Sequence, residues 1–192
     1  SARIALGGDP WNPYAVPRFE PFAAIRYATD DLASLVAPPY DVLSDADLDV
    51  LQARSLHNIV RIDVPRGGDD RYDLAAKIMR AWLDNGILAV DSTPSFTIYR
   101  MRFTDSTGTQ RDIAGVLGGL EVVDAEAGGV LPHERTTAAA STDRLELTRA
   151  TAANLSPVWG LSLAAGLTQL LAEPGEVLAT VLDQGVEHRV ER

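Results

Sequence analysis

Six prolines interrupt residues 1–40 of the chain, at positions 10, 13, 17, 21, 38 and 39. Because each proline removes a backbone N–H donor and fixes φ, neither a helix nor a central strand can run through this stretch. The spacing leaves room for one short strand around Phe22 to Tyr27. We therefore predict that residues 1–40 form an extended arm packed on a domain that comprises residues 41–192.

Two helices are predicted by strong local signals. Ser44 is a good N-cap before Asp45, and Leu43 and Leu48 occupy the two positions of a hydrophobic staple, which predicts a helix from Asp45 to Arg54. A second helix follows from apolar residues at three- and four-residue spacing that end at Asn85-Gly86: Tyr72, Ala75, Ala76, Met79, Trp82 and Leu83. We interpret Trp82 and Met79 as core residues of this helix.

Further helices and strands alternate irregularly along the chain. Helices are predicted from a Thr142-Asp143 cap through Ala152 and at about Leu167 to Glu173. Strands are predicted at Asn58–Val64, 97–103, 112–123, Val158–Leu163 and in a final hairpin around Asp183-Gln184-Gly185. This order predicts an α+β fold in which a mixed, largely antiparallel sheet carries three to four helices as a single fragment domain.

The composition excludes several classes of function. With 17 Lys and Arg against 27 Asp and Glu, the net charge of −10 argues against a nucleic-acid partner. The chain has no cysteine, which excludes disulfides, zinc-thiolate sites and thiol nucleophiles. No membrane-spanning run and no leader are present, so we expect a cytoplasmic protein without a membrane partner. Because the chain begins at Ser1 and stops within an alternating apolar pattern, we also expect a fragment.

The common nucleotide and metal motifs are missing from the sequence. No Walker-type loop is present, and the cluster of Gly115, Gly118 and Gly119 has the wrong spacing for dinucleotide binding. His57, His133 and His188 show no metal-ligand spacing, so we expect no metal bound through histidine.

The segment Leu131-Pro132-His133-Glu134-Arg135-Thr136 concentrates reactive side chains after a Gly-Gly turn. The imidazole of His133 can transfer protons, Glu134 can act as a base toward a hydroxyl, and Arg135 can hold a phosphate or carboxylate. These groups suit a small-molecule transferase, with His133 and Glu134 as catalytic candidates and Arg135 and Thr136 as substrate-binding candidates. The alternative is a solvated loop in which Glu134 and Arg135 pair with each other.

Other substrate-binding candidates lie outside this segment. Two prolines precede Tyr40 and Asp41, which either face a ligand or form a rigid turn before Leu43. Arg144 and Arg149 follow Asp143 on one predicted helix and are candidates to counter phosphate charge, whereas Asp143 is more simply a cap with a local partner.

Asn154 is either a substrate contact, a helix C-cap or a buried polar anchor. We expect the His133 loop to border the same hollow as Tyr40 and Asp41.

Several motifs occur in an order that resembles a known family. They are Pro21-Phe22 with Arg26-Tyr27, Val36-Ala37-Pro38-Pro39-Tyr40-Asp41-Val42, Asn58-Ile59-Val60-Arg61, Leu131-Pro132-His133-Glu134-Arg135-Thr136, Asp143-Arg144 and Ala153-Asn154-Leu155-Ser156-Pro157. In this order they resemble the N-terminal half of the bacterial and archaeal family called domain of unknown function 1015 (DUF1015). The similarity covers nearly the whole chain.

The resemblance implies a function through a motif beyond this sequence. Family members carry an Asp-Gly-His-His-Arg motif in a C-terminal half that this chain lacks, and free serine kinases of the ParB and sulfiredoxin-like type share that motif. The resemblance therefore implies a nucleotide-dependent phosphotransferase that uses ADP or ATP with Mg in the full-length protein and acts on a small hydroxyl metabolite such as serine. This fragment alone is then expected to be inactive. The alternative is a non-catalytic module that binds a small anion or regulates, and a homo-oligomer is compatible with either.

Overall fold

The computed structural model describes residues 17–124, 128–131 and 137–192. These residues divide into two compact units. Unit 1 contains residues 17–24, 90–124, 128–131 and 160–192, and unit 2 contains residues 25–89 and 137–159. Helices and antiparallel sheets are both present, which confirms the α+β class.

The described elements in chain order are β1 (Phe19–Glu20), β2 (Ile25–Tyr27), α1 (Asp45–Arg54), α2 (Val60–Asp63), α3 (Arg71–Asp84), β3 (Leu88–Val90), β4 (Thr97–Thr104), β5 (Gln110–Leu117), β6 (Gly119–Leu120), α4 (Ala138–Thr151), α5 (Leu167–Ala172), β7 (Val177–Asp183) and β8 (Val186–Glu191). A single 3-10 turn at Tyr40–Val42 precedes α1. Among the residues described, none of the helices has both the length and the apolar character that a membrane crossing requires.

Helix α1 begins at the residue that the capping signal predicts. The Ser44 hydroxyl accepts a hydrogen bond from the Asp47 N–H at 3.3 Å, and the Asp47 carboxylate accepts one from the Ser44 N–H at 2.9 Å. This capping box satisfies two backbone donors at the start of the helix, and the Ser44 hydroxyl and N–H together lower the pKa of Asp47. On the inner face of α1, Leu48 and Leu51 are buried, and Leu43 packs against them.

Helix α3 supplies much of the unit 2 core, as its apolar spacing predicts. Met79 and Trp82 are both buried, which confirms them as core residues. The buried cluster of this core comprises Ile62, Ala75, Met79, Trp82, Leu88 and Leu147. Tyr27 packs against the cluster and its hydroxyl donates to the His57 carbonyl at 2.7 Å, so the strand pair β2–β3 and the segment before α2 are fixed to the same core.

The predicted strand at Asn58–Val64 is wrong, because this segment forms the short helix α2. Asn58 is fully buried and its side-chain oxygen accepts from the Val60 N–H at 3.2 Å, which turns the chain into a helical conformation. The Asn58 amide also donates to the carbonyls of Ser34 at 2.9 Å and Val36 at 3.1 Å. These partners lie far away in the sequence, so the short apolar alternation alone misled the prediction.

The structure also corrects the limits of other elements. Helix α4 begins at Ala138, before the predicted cap, so Asp143 lies inside the helix and does not cap it. The alanines that open α4 have the highest helix propensity, which explains the earlier start. The predicted strand at Phe22–Tyr27 is interrupted, since Phe22 makes an isolated bridge to Ser95 and β2 begins only at Ile25.

The predicted strand at Val158–Leu163 is absent, and these residues have no regular secondary structure. Val158 is 97% exposed and Leu163 is 100% exposed. A strand requires a neighbouring strand to satisfy its backbone groups, and none in the described chain pairs with this segment.

Unit 1 is built on a four-stranded antiparallel sheet in the order β5-β4-β8-β7. The predicted strands at 97–103 and 112–123 correspond to β4 and β5, which pair as a hairpin, although β5 begins at Gln110 and ends at Leu117, and Gly118 separates it from β6. The final hairpin is confirmed as well. It turns through Gln184 and Gly185, which have φ of 47° and 81°, the left-handed conformation that a tight hairpin turn requires.

Candidate functional site

The most highly connected polar side chain of unit 2 is Arg144 on helix α4. Its Nη1 donates to the Asp63 carboxylate at 2.9 Å, and its Nη2 donates to the Asp63 backbone carbonyl, also at 2.9 Å. Its Nε and Nη2 donate to the carboxylate of Asp143 at 3.0 and 2.6 Å. Nη1 also lies 3.5 Å from the Ser156 hydroxyl. All five N–H donors of this guanidinium therefore have an acceptor.

The aromatic ring of Tyr40 lies against the same guanidinium. The Arg144 Cζ atom is 4.2 Å from the centre of the ring, which is a cation–π contact. Tyr40 begins the 3-10 turn directly after Pro38-Pro39, and Pro39 has the extended backbone that feeds this turn. The rigid turn expected from the two prolines thus presents a ring to the arginine.

Two aspartates balance the positive charge in this network. The Asp143 carboxylate accepts a hydrogen bond from the Tyr72 hydroxyl at 2.7 Å, and Arg71 lies 3.9 Å from the same carboxylate. Burial works against ionisation of Asp143, but the hydrogen bonds from Tyr72 and Arg144 and the nearby positive charges lower its pKa. Burial and Asp143 in turn raise the pKa of Tyr72. Asp143 is therefore a charged partner of two arginines.

The Asp63 carboxylate joins a third part of the chain to Arg144. Its oxygen accepts a hydrogen bond from the Ser156 hydroxyl at 3.2 Å. Asp63 ends helix α2, and Ser156 follows α4 within unit 2. One guanidinium thus joins the turn at Tyr40, the end of α2, helix α4 and the residues after it.

Not every candidate residue takes part in this network. Asp41 is exposed beside Tyr40, and Asn154 is exposed after α4. In the described part of the chain, neither side chain makes a hydrogen bond or an ion pair. Arg149 lies five residues after Arg144, on another side of the helix, where it pairs with Glu146 at 2.7 Å. The candidates His133, Glu134, Arg135 and Thr136 lie outside the described residues.

The sequence identified Tyr40 and Arg144 as site residues but not Asp63, Tyr72, Ser156 or Arg71, and Asp143 was interpreted as a helix cap. Ser156 lies within one of the recognised motifs, whereas Asp63 follows another by two residues, and Tyr72 was assigned to the apolar face of α3. The position of a carboxylate two residues after a recognised motif was the sequence signal that could have identified Asp63 as a site residue. Nothing local marks Tyr72, because the carboxylate that it contacts lies on α4.

The described residues contain no group of three or more His, Asp or Glu side chains placed to hold a metal ion. A family model described as "Protein of unknown function (DUF1015)" matches residues 19–192 of this chain. No curated protein and no solved structure matches it.

Proposed function

The chain belongs to the DUF1015 family, and on this premise we propose that the protein is a cytoplasmic nucleotide-dependent phosphotransferase acting on a small hydroxyl metabolite such as free serine. The observation that carries the proposal is the convergence of separate motifs on Arg144. Tyr40 and Asp63 are distant from Arg144 in sequence and Ser156 follows it by twelve residues, yet each contacts this guanidinium, as does the neighbouring Asp143. Such convergence marks a centre at which a ligand would meet several segments at once.

In the proposed reaction, the hydroxyl oxygen of the metabolite attacks the terminal phosphorus of ADP or ATP. The bond from that phosphorus to its bridging oxygen breaks, and Glu134 accepts the hydroxyl proton. The products are a phosphate monoester and AMP or ADP. His133 orients the acceptor or moves the proton, while Arg135 and Arg149 counter the phosphate charge and Thr136 contacts the substrate. Mg bound to the nucleotide would supply further neutralisation of the phosphate charge.

Arg144 has a different role in this proposal from the other arginines. Because each of its five donors already has an acceptor, it acts as a positioning residue that holds the Tyr40 ring and the Asp63 carboxylate in place. Among the candidates that the structure describes, the side chains available to recognise a metabolite are Tyr40, Asp41 and Asn154. The Asp41 carboxylate suits an ammonium group, and the Tyr40 hydroxyl and the Asn154 amide suit hydroxyl or carboxylate groups.

A specific observation favours a second function, the non-catalytic binding of a small anion or a regulatory ligand. The described network is balanced in charge, with Arg71 and Arg144 against Asp63 and Asp143. A balanced network of engaged side chains forms a rigid binding surface without an uncommitted acid or base. In this alternative, the same residues hold a ligand and no bond is broken.

The two functions are separated by a turnover assay on the protein expressed from its complete reading frame. The protein is incubated with serine, Mg and either ADP or ATP, and phosphoserine is measured by mass spectrometry. We expect product, and we expect the Glu134→Gln variant to lose it while the exposed Glu20→Gln control keeps it. Equal turnover in the Glu134→Gln variant would refute the role of Glu134. Thermal stabilisation by serine or the nucleotide without product would favour the binding function.

The positioning role of Arg144 has its own test. The Arg144→Lys variant keeps the charge but loses the planar fork that spans Asp63 and Asp143. We expect a raised KM for the metabolite with a smaller change in kcat, because the Tyr40 ring loses its support. The Tyr40→Phe variant keeps the ring and should retain the stacking contact. An unchanged KM in Arg144→Lys would contradict this role.

A further inference from the structure

Unit 1 carries three arginines on neighbouring strands of its sheet, and the proposed function uses none of them. Arg100 and Arg102 are two residues apart on β4, so their side chains leave the same face of the sheet. Arg189 on β8 is paired directly with Arg100 in the strand register. Like charges directly opposite each other destabilise a strand pair, so this arrangement requires compensation.

A single buried carboxylate provides part of that compensation. Glu191 on β8 is 1% exposed, and its oxygens lie 3.0 Å from Arg100 Nε and 2.8 Å from Arg189 Nε. The Gly175 N–H donates to the same carboxylate at 3.1 Å. Burial opposes ionisation of Glu191, but the Gly175 N–H and the two arginines lower its pKa, so it stays charged. The single negative charge of Glu191 is therefore shared between two guanidinium groups.

These side chains line a cavity of about 300 Å³. Its polar wall consists of the three arginines with Asp112 and Glu191, and its apolar wall includes Pro174 and Ala114, which is paired with Arg100 in the strand register. Three positive and two negative side chains leave the lining with a charge of +1 in a protein of net charge −10. Glu187 is paired with Arg102 in the strand register but does not line the cavity.

The arginines keep donors that have no acceptor in the described chain. Arg100 uses Nε for Glu191 and Nη2 for the Glu173 carbonyl, and Arg102 uses only Nε, for Asp112. The Nε of Arg189 is buried without a hydrogen bond, since its contact with Glu191 is an ion pair that lacks hydrogen-bond alignment. The terminal nitrogens of Arg102 and Arg189 therefore remain free to bind a further group at the cavity.

We propose that this cavity binds a small organic oxyanion, with its oxygens held by Arg102 and Arg189 and its carbon atoms against Ala114 and Pro174. Planar guanidinium groups bind phosphate and carboxylate through paired, charge-assisted hydrogen bonds. The cavity volume lies at the lower end of the range for small-molecule sites, which suits a ligand of a few carbon atoms. Phosphate monoesters and carboxylates share this chemistry.

The test measures the binding of defined anions to the full-length protein by isothermal titration calorimetry. The probes are inorganic phosphate, glycerol phosphate and malonate, which distinguish a phosphate site from a carboxylate site and show whether carbon atoms add affinity. We expect at least one probe to bind, and we expect Arg102→Gln and Arg189→Gln each to weaken binding by about tenfold or more, because each removes charge-assisted hydrogen bonds.

Arg111→Gln is the matched control, because Arg111 and Arg102 are both 55% exposed and each is paired with one aspartate, yet Arg111 does not line the cavity. Its affinity should stay within about twofold of the parent protein. Arg189→Lys keeps the charge without the planar fork and should bind less tightly than the parent. If Arg189→Gln does not fold, the test relies on Arg102→Gln, because Arg102 is exposed.

Two results would overturn the proposal. One is that none of the three anions binds. The other is that Arg111→Gln weakens binding as much as Arg102→Gln, since this would reduce the effect to net charge.

Discussion

Replacing the buried Asn58 with alanine should destabilise unit 2 strongly. The Asn58 side chain is fully buried, donates to the carbonyls of Ser34 and Val36, and accepts from the Val60 N–H. Alanine removes all three hydrogen bonds and leaves their backbone partners unsatisfied. At about 1 kcal/mol for each bond, the free energy of unfolding should fall by about 3 kcal/mol.

The change can be measured by urea denaturation that follows tryptophan fluorescence. Trp82 is buried in the unit 2 core, so its exposure to water on unfolding contributes a change to the emission of the three tryptophans, and a Trp82→Phe parent identifies that contribution. The control is Asn85→Ala, because Asn85 is an exposed asparagine whose amide makes one hydrogen bond, to the Ala81 carbonyl at 2.8 Å. That change should cost about 0.5 kcal/mol.

A second substitution tests the direction of the Asn58 hydrogen bonds. Asn58→Asp keeps an acceptor for the Val60 N–H but turns a carboxylate toward two carbonyl oxygens. It should therefore destabilise unit 2 more than alanine at pH 7, and part of the loss should be recovered on acidification, when the carboxyl can donate. A loss below about 1 kcal/mol in Asn58→Ala would refute the reasoning, because it would mean that these bonds add almost nothing to stability.

Three further predictions concern other parts of the fold. A Cβ at Gly118 would lie 2.5 Å from the Phe19 ring, so Gly118→Ala should lower the free energy of unfolding in urea by about 1–3 kcal/mol. The control is Gly119→Ala, which should lower it less, because the nearest atom to a Cβ at Gly119 is 3.7 Å away. The pKa of Glu191 is lowered in the folded protein, so the ionised carboxylate stabilises the fold fully above the unfolded pKa of 4.5. This stabilisation is lost as the pH falls through the folded pKa. Between pH 6 and pH 3, the Tm of Glu191→Gln should therefore change less than that of the parent protein. An equal acid response in both proteins would contradict this. Ser44→Ala removes the cap of α1 and should cost about 1 kcal/mol in urea denaturation, and no change would show that the cap is not stabilising.

The elements that the sequence predicted correctly are those whose signals are local. Ser44 caps α1 through a residue three positions away, and the apolar spacing of α3 identifies its buried face without knowledge of its partners. Helix α2 could not be recognised in this way, because Asn58 is bound by carbonyls more than twenty residues earlier in the chain. At Val158–Leu163, the alternating pattern suited a strand, but a strand also depends on a neighbour that the pattern cannot supply.

In the candidate site, too, local features could be predicted from the sequence and long-range contacts could not. The two prolines before Tyr40 predicted a rigid turn, and the sequence marked Arg144 as a residue that binds negative charge. In the folded chain, Arg144 binds Asp63 and Asp143 and has no donor left for a phosphate. This arrangement depends on the packing of α2 against α3 and of α3 against α4. The turn at Tyr40 and the binding of negative charge by Arg144 could therefore be predicted from single residues, whereas the partners of Arg144 could not.

The charged network around Arg144 stabilises the fold inefficiently in terms of free energy. Charges removed from water lose hydration that their mutual attraction rarely restores in full, and apolar residues of similar volume would often stabilise the same contacts as well. A chain that fixes Tyr40 with a guanidinium and two carboxylates obtains an orientation that apolar packing would not specify as sharply. This is the argument for a functional centre in unit 2, and it makes a distinct demand on Arg144→Met. Methionine leaves the Asp63 and Asp143 carboxylates without their partner, so that variant should be destabilised. If the network serves orientation, Arg144→Lys, which keeps a positive charge at this place, should retain more of the stability while still losing affinity for a ligand at Tyr40 and Asp41. In a purely structural network, the affinity would be lost only to the extent that the stability is.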